Sequence, residues 1–355
     1  MTLLLCSFIF LSASVFSQSS SNSGDFNNTI SNLSSAAAVP YVSPASNSFG
    51  SNLNTGWVTK APAATKLSFS LDLKIIAMGS VIGDDQRTFS TNGLFRFTSS
   101  QADELVQNIP TPTDRADIKS QILNSEFNVG ISGPTIVGSA DSRVKVVFPG
   151  KTYTTSDGLR QYTVTQQDII LQDVKGFLDG ISLFPTAAIQ LGVGTFMGTN
   201  FAFRWFPKVN IKDLGDFTYW GIGATHNPAV WFDGADLPID ISFGIFYQDL
   251  QVGTIFETKA TQFGIYGSKT LGSVIAFTPY FGITTESATT TINYDYEYTD
   301  GNNTTQKTNV NFELKGTNSV GFTVGAAFKL AILNLNIDYK FANINTASAG
   351  LTFGF

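Results

Sequence analysis

The sequence predicts an all-β protein: a transmembrane antiparallel β-barrel of about fourteen strands, with twelve as the fallback, and an N-terminal hatch inside its lumen. Three observations predict this. Only 14% of the 355 residues are charged, well below the usual ~25%. Long segments alternate apolar and polar residues with period two. The last residues, Leu351-Thr352-Phe353-Gly354-Phe355, alternate and end on an aromatic ring, so the final strand can pair with the first and remove both sheet edges.

The composition fits a lipid-facing wall. Hydrophobic residues make up 43% of the chain, with 31 Phe and 32 Gly. A water-soluble protein this poor in charge would struggle to cover its surface, whereas a barrel turns half its strand residues to lipid. The net charge of −6 argues against nucleic acid, which needs a basic patch. Cys6 is the single cysteine, so disulfides and thiolate metal sites are not expected.

Residues 1–17 read as a signal peptide. Leu3 to Phe16 is mostly apolar, and Ser12-Ala13-Ser14 and Ser17 supply small residues before Gln18. The start lacks Lys or Arg, which departs from the usual pattern. Cys6 invites a lipoprotein reading, but Leu5 is too large for the position before it. No later stretch has the ~18–20 apolar residues that a transmembrane helix needs, so a membrane crossing here requires a closed barrel.

Residues 18–64 form a flexible leader and hatch. Ser19 to Asn28 is bland and polar. From Val39 to Ala61 the chain carries Tyr41, Phe49, Leu53 and Trp57 among small residues. Isolated aromatics of this kind serve as anchors if each docks in a pocket, and the lumen is the nearest pocket. The plainer alternative is a disordered leader.

The barrel is expected over residues 65–355. From Lys66, Leu67, Phe69, Leu71, Leu73 and Ile75 share one face, and Ser68, Ser70, Asp72 and Lys74 the other. Near the end, Leu333, Leu335, Ile337, Tyr339 and Phe341 oppose Asn334, Asn336, Asp338 and Lys340. A soluble sandwich also alternates. Strands of ~9–12 residues and a girdle at Trp205, Trp220, Tyr247 and Tyr339 favour the membrane.

A large, partly helical insertion interrupts the pattern at about 98–185. Gln101–Gln107 and Asp114–Asn124 look like helices, Thr135–Phe148 looks strand-like, and Asp168–Leu178 is a third helix candidate. Later, Tyr294, Tyr296 and Tyr298 alternate with Asp295 and Glu297 before Asp300-Gly301, a hairpin turn signal. Its charge predicts a hairpin projecting into water.

The terminal Phe355 resembles the assembly signal of outer-membrane barrels. Further stretches are Tyr41 to Ala61 with Leu53-Asn54-Thr55-Gly56-Trp57, Ala188 to Gly194 with Arg204-Trp205-Phe206-Pro207, and Gly221-Ile222-Gly223 with His226 and Leu237 to Ser242. With these the chain resembles an uncharacterised family of Gram-negative outer-membrane β-barrel proteins, distantly similar to the long-chain fatty-acid transporter class. The resemblance implies the cell outer membrane, contact with its lipid, and recognition of Phe355 by the barrel assembly machinery. It supplies no activity and no functional residue.

Candidate chemistry is thin. His226 is the single histidine. It lacks a Gly-x-Ser-x-Gly partner and sits before Asn227-Pro228, a turn signal, so a strand-end role outweighs catalysis. Gly192-Val193-Gly194 and Gly221-Ile222-Gly223 lack the rest of a nucleotide loop and read as small lumen residues. The polar strand faces carry Asp72, Lys74, Arg204, Asp240, Lys329, Asp338 and Lys340. Buried charges must be paired or hydrated, so these either hold a plug by ion pairs or line a substrate path. The expectation is a passive channel or transporter for a small molecule, an amphipathic ligand among the candidates, with no cofactor, metal or enzymatic activity. The alternatives are a structural or interaction barrel and, most weakly, a membrane-barrel lipid hydrolase or acyltransferase.

Overall fold

The computed structural model describes residues 30, 33–211, 215–232, 238–300, 302 and 304–354. The expected leader at 1–17, the start at Ser19–Asn28, Gly301 of the hairpin turn and the terminal Phe355 lie outside the described residues.

Alternation sets the strands. β1 (Leu67–Val81) opens the wall. A folded cap, residues 82–182, follows with β2 (Thr88–Phe95), β3 (Phe127–Pro134), β4 (Val144–Phe148), β5 (Lys151–Thr154), β6 (Gln161–Val164) and β7 (Gln167–Leu171). The chain returns as β8 (Leu183–Phe196), β9 (Thr199–Ile211), β10 (Gly215–His226), β11 (Asp240–Val252), β12 (Phe256–Ser268), β13 (Leu271–Gly272) and β14 (Ile275–Thr299). β15 (Thr305–Lys315), β16 (Val320–Leu330), β17 (Leu333–Phe341) and β18 (Thr346–Gly354) complete it.

Ten strands close into a ring, in the order β1-β8-β9-β10-β11-β12-β14-β16-β17-β18. All neighbours are antiparallel, and the β1–β18 ladder, from Asp72 opposite Gly354 to Ser80 opposite Thr346, closes it. β13 and β15 pair only with β14, outside the ring. The expected fourteen strands are therefore corrected to ten. β14 alone runs 25 residues and joins Ile275–Ile283 to Tyr294–Tyr298, which alternation had separated. The strands β2 to β7 belong to the cap. Among the described residues no helix is long and apolar enough to cross a membrane.

The wall has an apolar outside. Leu67, Phe69, Ile245, Phe263, Leu335 and Ile337 are exposed, Ile337 to 67%, while Asn336, Asp338 and Lys340 on the opposite parity of β17 are buried. Such a continuous apolar exterior is foreign to monomeric soluble proteins. Trp205 faces Trp220 in register, and the Trp220 and Tyr247 rings lie 5.7 Å apart, so three of the four expected girdle aromatics sit together, but near the middle of β9, β10 and β11 and not at strand ends.

The cap has its own core. A four-stranded sheet, β2-β3-β4-β7, packs with helices Ser99–Val106 and Pro112–Leu123. Thr98 and Gln101 form a capping box on the first, satisfying free N–H groups at its start. Phe97 meets Phe95, Phe127 and Phe148 at centroid distances of 5.2, 5.5 and 5.7 Å. Two expectations fail here. Asp168–Leu178 is not a helix: Gln167–Leu171 pairs as a strand with Val144–Phe148, burying Ile169 and Leu171 on one face. The β-branched Ile169 and Ile170 suit that pleat. Within Thr135–Phe148, only Val144–Phe148 is a strand.

The tyrosine hairpin does rise beyond the ring, but water does not surround it. Tyr294 is buried, and its hydroxyl donates to the Leu33 carbonyl at 2.8 Å. Tyr296 donates to the Arg96 carbonyl, and the Arg96 guanidinium lies 5.3 Å from the Tyr298 ring centre. The cap covers one face of the hairpin.

Candidate functional site

The N-terminal helix, Ser35–Leu53, packs on β2 of the cap and on β1, β8, β12 and β14 of the ring. Pro40 and Pro44 lie inside it. Each removes a backbone hydrogen bond and disfavours helix on its own, so the surroundings must hold it. Its first half belongs to the cap: the Tyr41 hydroxyl donates to the Lys175 carbonyl at 2.7 Å, and the Ile136 N–H donates to the Tyr41 carbonyl. Its second half is slim, with Ser46, Ser48, Gly50 and Ser51 buried. A helix with ordinary side chains is about 10–12 Å across, and these small residues let this one lie close to the wall. A Cβ added to Gly50 would lie 2.5 Å from the Ala288 side chain.

The end of the helix and residues 54–62 are held by the inward face of the wall. Ser51 shares a 2.5 Å hydrogen bond with Thr346. Asn52 donates to the Phe184 carbonyl and to Thr186, both at 2.9 Å, and accepts from Ser80 at 2.7 Å. Gln262 donates to the Asn54 carbonyl at 2.7 Å, and Gln248 to the Asn54 side chain. The Asn54 amide in turn donates to the Ser287 carbonyl. Lys74 Nζ donates to the Gly56 carbonyl at 2.8 Å. Gly56 has φ +70, a left-handed conformation that favours glycine, and a Cβ there would collide with Ile76. Lower down, Ser268 accepts from the Ala61 N–H and Asn227 donates to the Pro62 carbonyl.

Two buried cations organise this seat. Arg204 is fully buried. Its guanidinium donates to Gln190 Oε1 at 2.9 and 3.1 Å and to the Thr55 carbonyl at 3.0 Å. It also lies 3.8 Å from the Trp57 ring centre, a cation–π geometry. Trp57 stacks on Phe246 at 4.7 Å. Lys340, also fully buried, pairs with Glu286 at 2.9 Å. Its remaining donors reach the Ser51 and Asn54 carbonyls at 3.0 and 3.1 Å. Desolvated charges persist only when paired and hydrogen-bonded, and here the plug backbone supplies part of that satisfaction.

The predicted residues divide. Lys74, Arg204 and Lys340 touch the plug directly. Asp338 is buried beside them and accepts from the Tyr280 hydroxyl at 2.9 Å. Asp72 is half-buried and leans over Gly192, where any Cβ would strike its carboxylate. Asp240 and Lys329 share the inward parity but sit at strand ends, Asp240 half-buried and Lys329 exposed, away from the cluster. Of the anchors, Tyr41, Phe49, Leu53 and Trp57 are all buried. Phe49 lies edge-on to Phe184 at 5.0 Å.

Sequence reasoning missed Glu286, Gln190, Gln248 and Gln262. Parity could have found Glu286, which follows Thr278, Tyr280 and Thr284 on the inward face of β14. The glutamines carry no charge and stood out in no pattern. His226 is occupied at both ring nitrogens, one 3.0 Å from Thr199 Oγ1, the other accepting from Trp231 at 3.1 Å.

A family model described as "Family of unknown function (DUF6588)" matches residues 1–355. The chain belongs to this family. Its description carries no link to the long-chain fatty-acid transporter class. No curated protein matches the chain in sequence. Among solved structures it is similar to the transport unit of the autotransporter AIDA-I from Escherichia coli at 8% identity, covering 88% of this chain and 97% of that one, TM-score 0.25. It is similar to OmpT of Vibrio cholerae at 9% identity, covering 81% and 98%, TM-score 0.20. A third, opdK from Pseudomonas aeruginosa, has 8% identity and covers 81% and 99%, TM-score 0.17. The barrel architecture rests on the strand register, not on likenesses this distant.

Proposed function

We propose that this family member is an outer-membrane β-barrel of a Gram-negative bacterium, shut by its own N-terminal hatch and serving at rest as a structural or interaction barrel. A signal peptide at 1–17, lipid contact through the apolar belt and recognition of Phe355 by the assembly machinery belong to this reading. It involves no catalysis. The observation that carries it is the helix Ser35–Leu53, built into the cap core at one end and hydrogen-bonded to the wall at the other. Each such bond is worth roughly 0.5–1.5 kcal/mol, so unseating the whole segment is costly and a permanently open pore is disfavoured.

Planar-bilayer recording of the full chain tests this. No steady conductance is expected, and a stable open-channel current would overturn it. Deleting residues 39–61 is a poor test, since it also removes Tyr41 and Val42 from the cap core.

A second reading, a gated passage for a small molecule, has one observation in its favour. The seat of residues 51–57 is made of side-chain hydrogen bonds, which water can replace, and not of sheet ladder. Discrete openings that become frequent when Lys340 or Arg204 is neutralised would select it.

A further inference from the structure

The ring has two unlike ends. At one, the connections are the short turns 197–198, 269–274 and 331–332 and the longer link 227–239. At the other stand the cap of residues 82–182 and the hairpin of β14 and β15, which continues above the Phe256–Ile292 pair. Outer-membrane barrels keep short turns on the periplasmic side and long loops outside. On the outer-membrane reading proposed above, on which this inference rests, the cap end faces outward.

The plug starts at that end. The Leu33 carbonyl accepts from Tyr294 in the raised hairpin, and Ala36 packs so closely on β2 that a Cβ at Gly93 would collide with it. The chain then descends. Ser80, near the cap end of β1, contacts Ser48 and Asn52. Lys74, six positions lower on the same strand, contacts Gly56. At the foot, Asn227 holds Pro62, and the Gly198 N–H donates to the Thr65 carbonyl. β1 begins there and climbs back.

We infer that the N-terminal segment enters the bore from the outer face of the membrane. Leu33 lies on the outside, Thr65 on the periplasmic side, and the chain crosses once through its own barrel before the first wall strand forms. The cap, the helix and the hairpin share one core, with Tyr41, Val42, Phe95, Val129 and Tyr294 among its members. Any ligand that unseats the plug therefore acts on the cap, from outside. On the periplasmic side the plug segment exposes residues 63–66, beside the short turns.

Single-cysteine labelling tests the direction. With Cys6, the one native cysteine, replaced by Ser, Cys is placed at Ser35, Ala64 or Leu159, all exposed. The last sits at the β5–β6 hairpin tip and reports the side of the cap. Intact cells are treated with a maleimide on a polyethylene glycol chain too large for porins. Ser35→Cys and Leu159→Cys should label in intact cells, and Ala64→Cys only after the outer membrane is permeabilised. Labelling of Leu159→Cys with loss of labelling at Ser35→Cys would overturn the threading and leave the outer-membrane reading standing. Labelling of Ala64→Cys alone would invert the ring and overturn the inference. Loss of labelling at all three sites until the cells are lysed would overturn the outer-membrane reading itself.

Discussion

Replacing Lys340 with Met removes the charge that ties the wall to the plug while keeping most of the side chain's length. The ammonium is fully buried and makes four contacts: both carboxylate oxygens of Glu286 at 3.1 and 2.9 Å, and the Ser51 and Asn54 carbonyls. Breaking one side of a buried ion pair leaves the other charge without compensation, at a cost of about 3–5 kcal/mol. Here the stranded group is the Glu286 carboxylate, which makes no second ion pair among the described residues. Lys340→Met should therefore destabilise the folded barrel by about that amount. Urea unfolding in detergent, followed by the loss of heat-modifiable migration on gels, measures it. Adding Glu286→Leu should recover much of the loss, because replacing both charges by apolar groups is often nearly neutral. The double-mutant cycle then reads a coupling well outside the ~0.5 kcal/mol scatter of independent sites. A single-variant cost below ~1 kcal/mol, or a double variant whose losses simply add, would refute the claim that this pair seats the plug.

Trp57→Ala should cost about 3–5 kcal/mol, since it removes both the ring stacked on Phe246 and the face over Arg204; the same unfolding assay checks it, and a loss under ~1 kcal/mol would mean the ring is not an anchor. Ile337→Arg, on the exposed face of β17, should cost about 2–4 kcal/mol in lipid, whereas Lys329→Ala, exposed at a strand end, should stay within about 0.5 kcal/mol; vesicle refolding titrations distinguish the two. In the cap, Asp117 accepts from the Ser156 hydroxyl and N–H, and these bonds hold its carboxyl below the usual carboxylate range. A depressed folded value means the contribution is present above the unfolded pKa of about 3.9 and is lost as pH falls through the lower folded value. The 155–160 turn should then become more sensitive to an acid protease, and Asp117→Asn should show that sensitivity already at neutral pH; an unchanged cleavage pattern would remove the clamp.

Much of the wall was legible in the sequence because strand side chains alternate strictly. The parity of β1 and β17 placed Leu71, Leu73, Leu335 and Ile337 outside, and Lys74, Asp338 and Lys340 inside, with no knowledge of any partner. The same rule separated Arg204 from its neighbours Phe203 and Trp205. Composition, low charge and the aromatic-ended terminal strand pointed to a closed barrel, since only closure satisfies every edge in lipid. The large apolar residues Tyr41, Phe49, Leu53 and Trp57 stood out in a small-residue segment and are all buried in the structure.

Alternation is local, however, and says nothing of how many strands share a ring. Whether β14 is one strand of 25 residues or two depends on its partners: β12 on one side, and β16 then β15 on the other. The same limit made Asp168–Leu178 a mistaken helix, because only pairing with Val144–Phe148 makes Gln167–Leu171 a strand. The helix at Ser35–Leu53 was hidden by Pro40 and Pro44, whose local cost is met by burial in the cap and the bore. Which charges cluster was likewise settled by position along the barrel axis. Lys74, Arg204, Asp338 and Lys340 meet at mid-depth, while Asp240 and Lys329, of the same parity, end at the rim. The sequence by itself determined which way each strand side chain faces, because that follows from backbone geometry residue by residue. Only the tertiary structure decided strand count, plug conformation and the pairing of Lys340 with Glu286, because each depends on contacts between segments far apart in the chain.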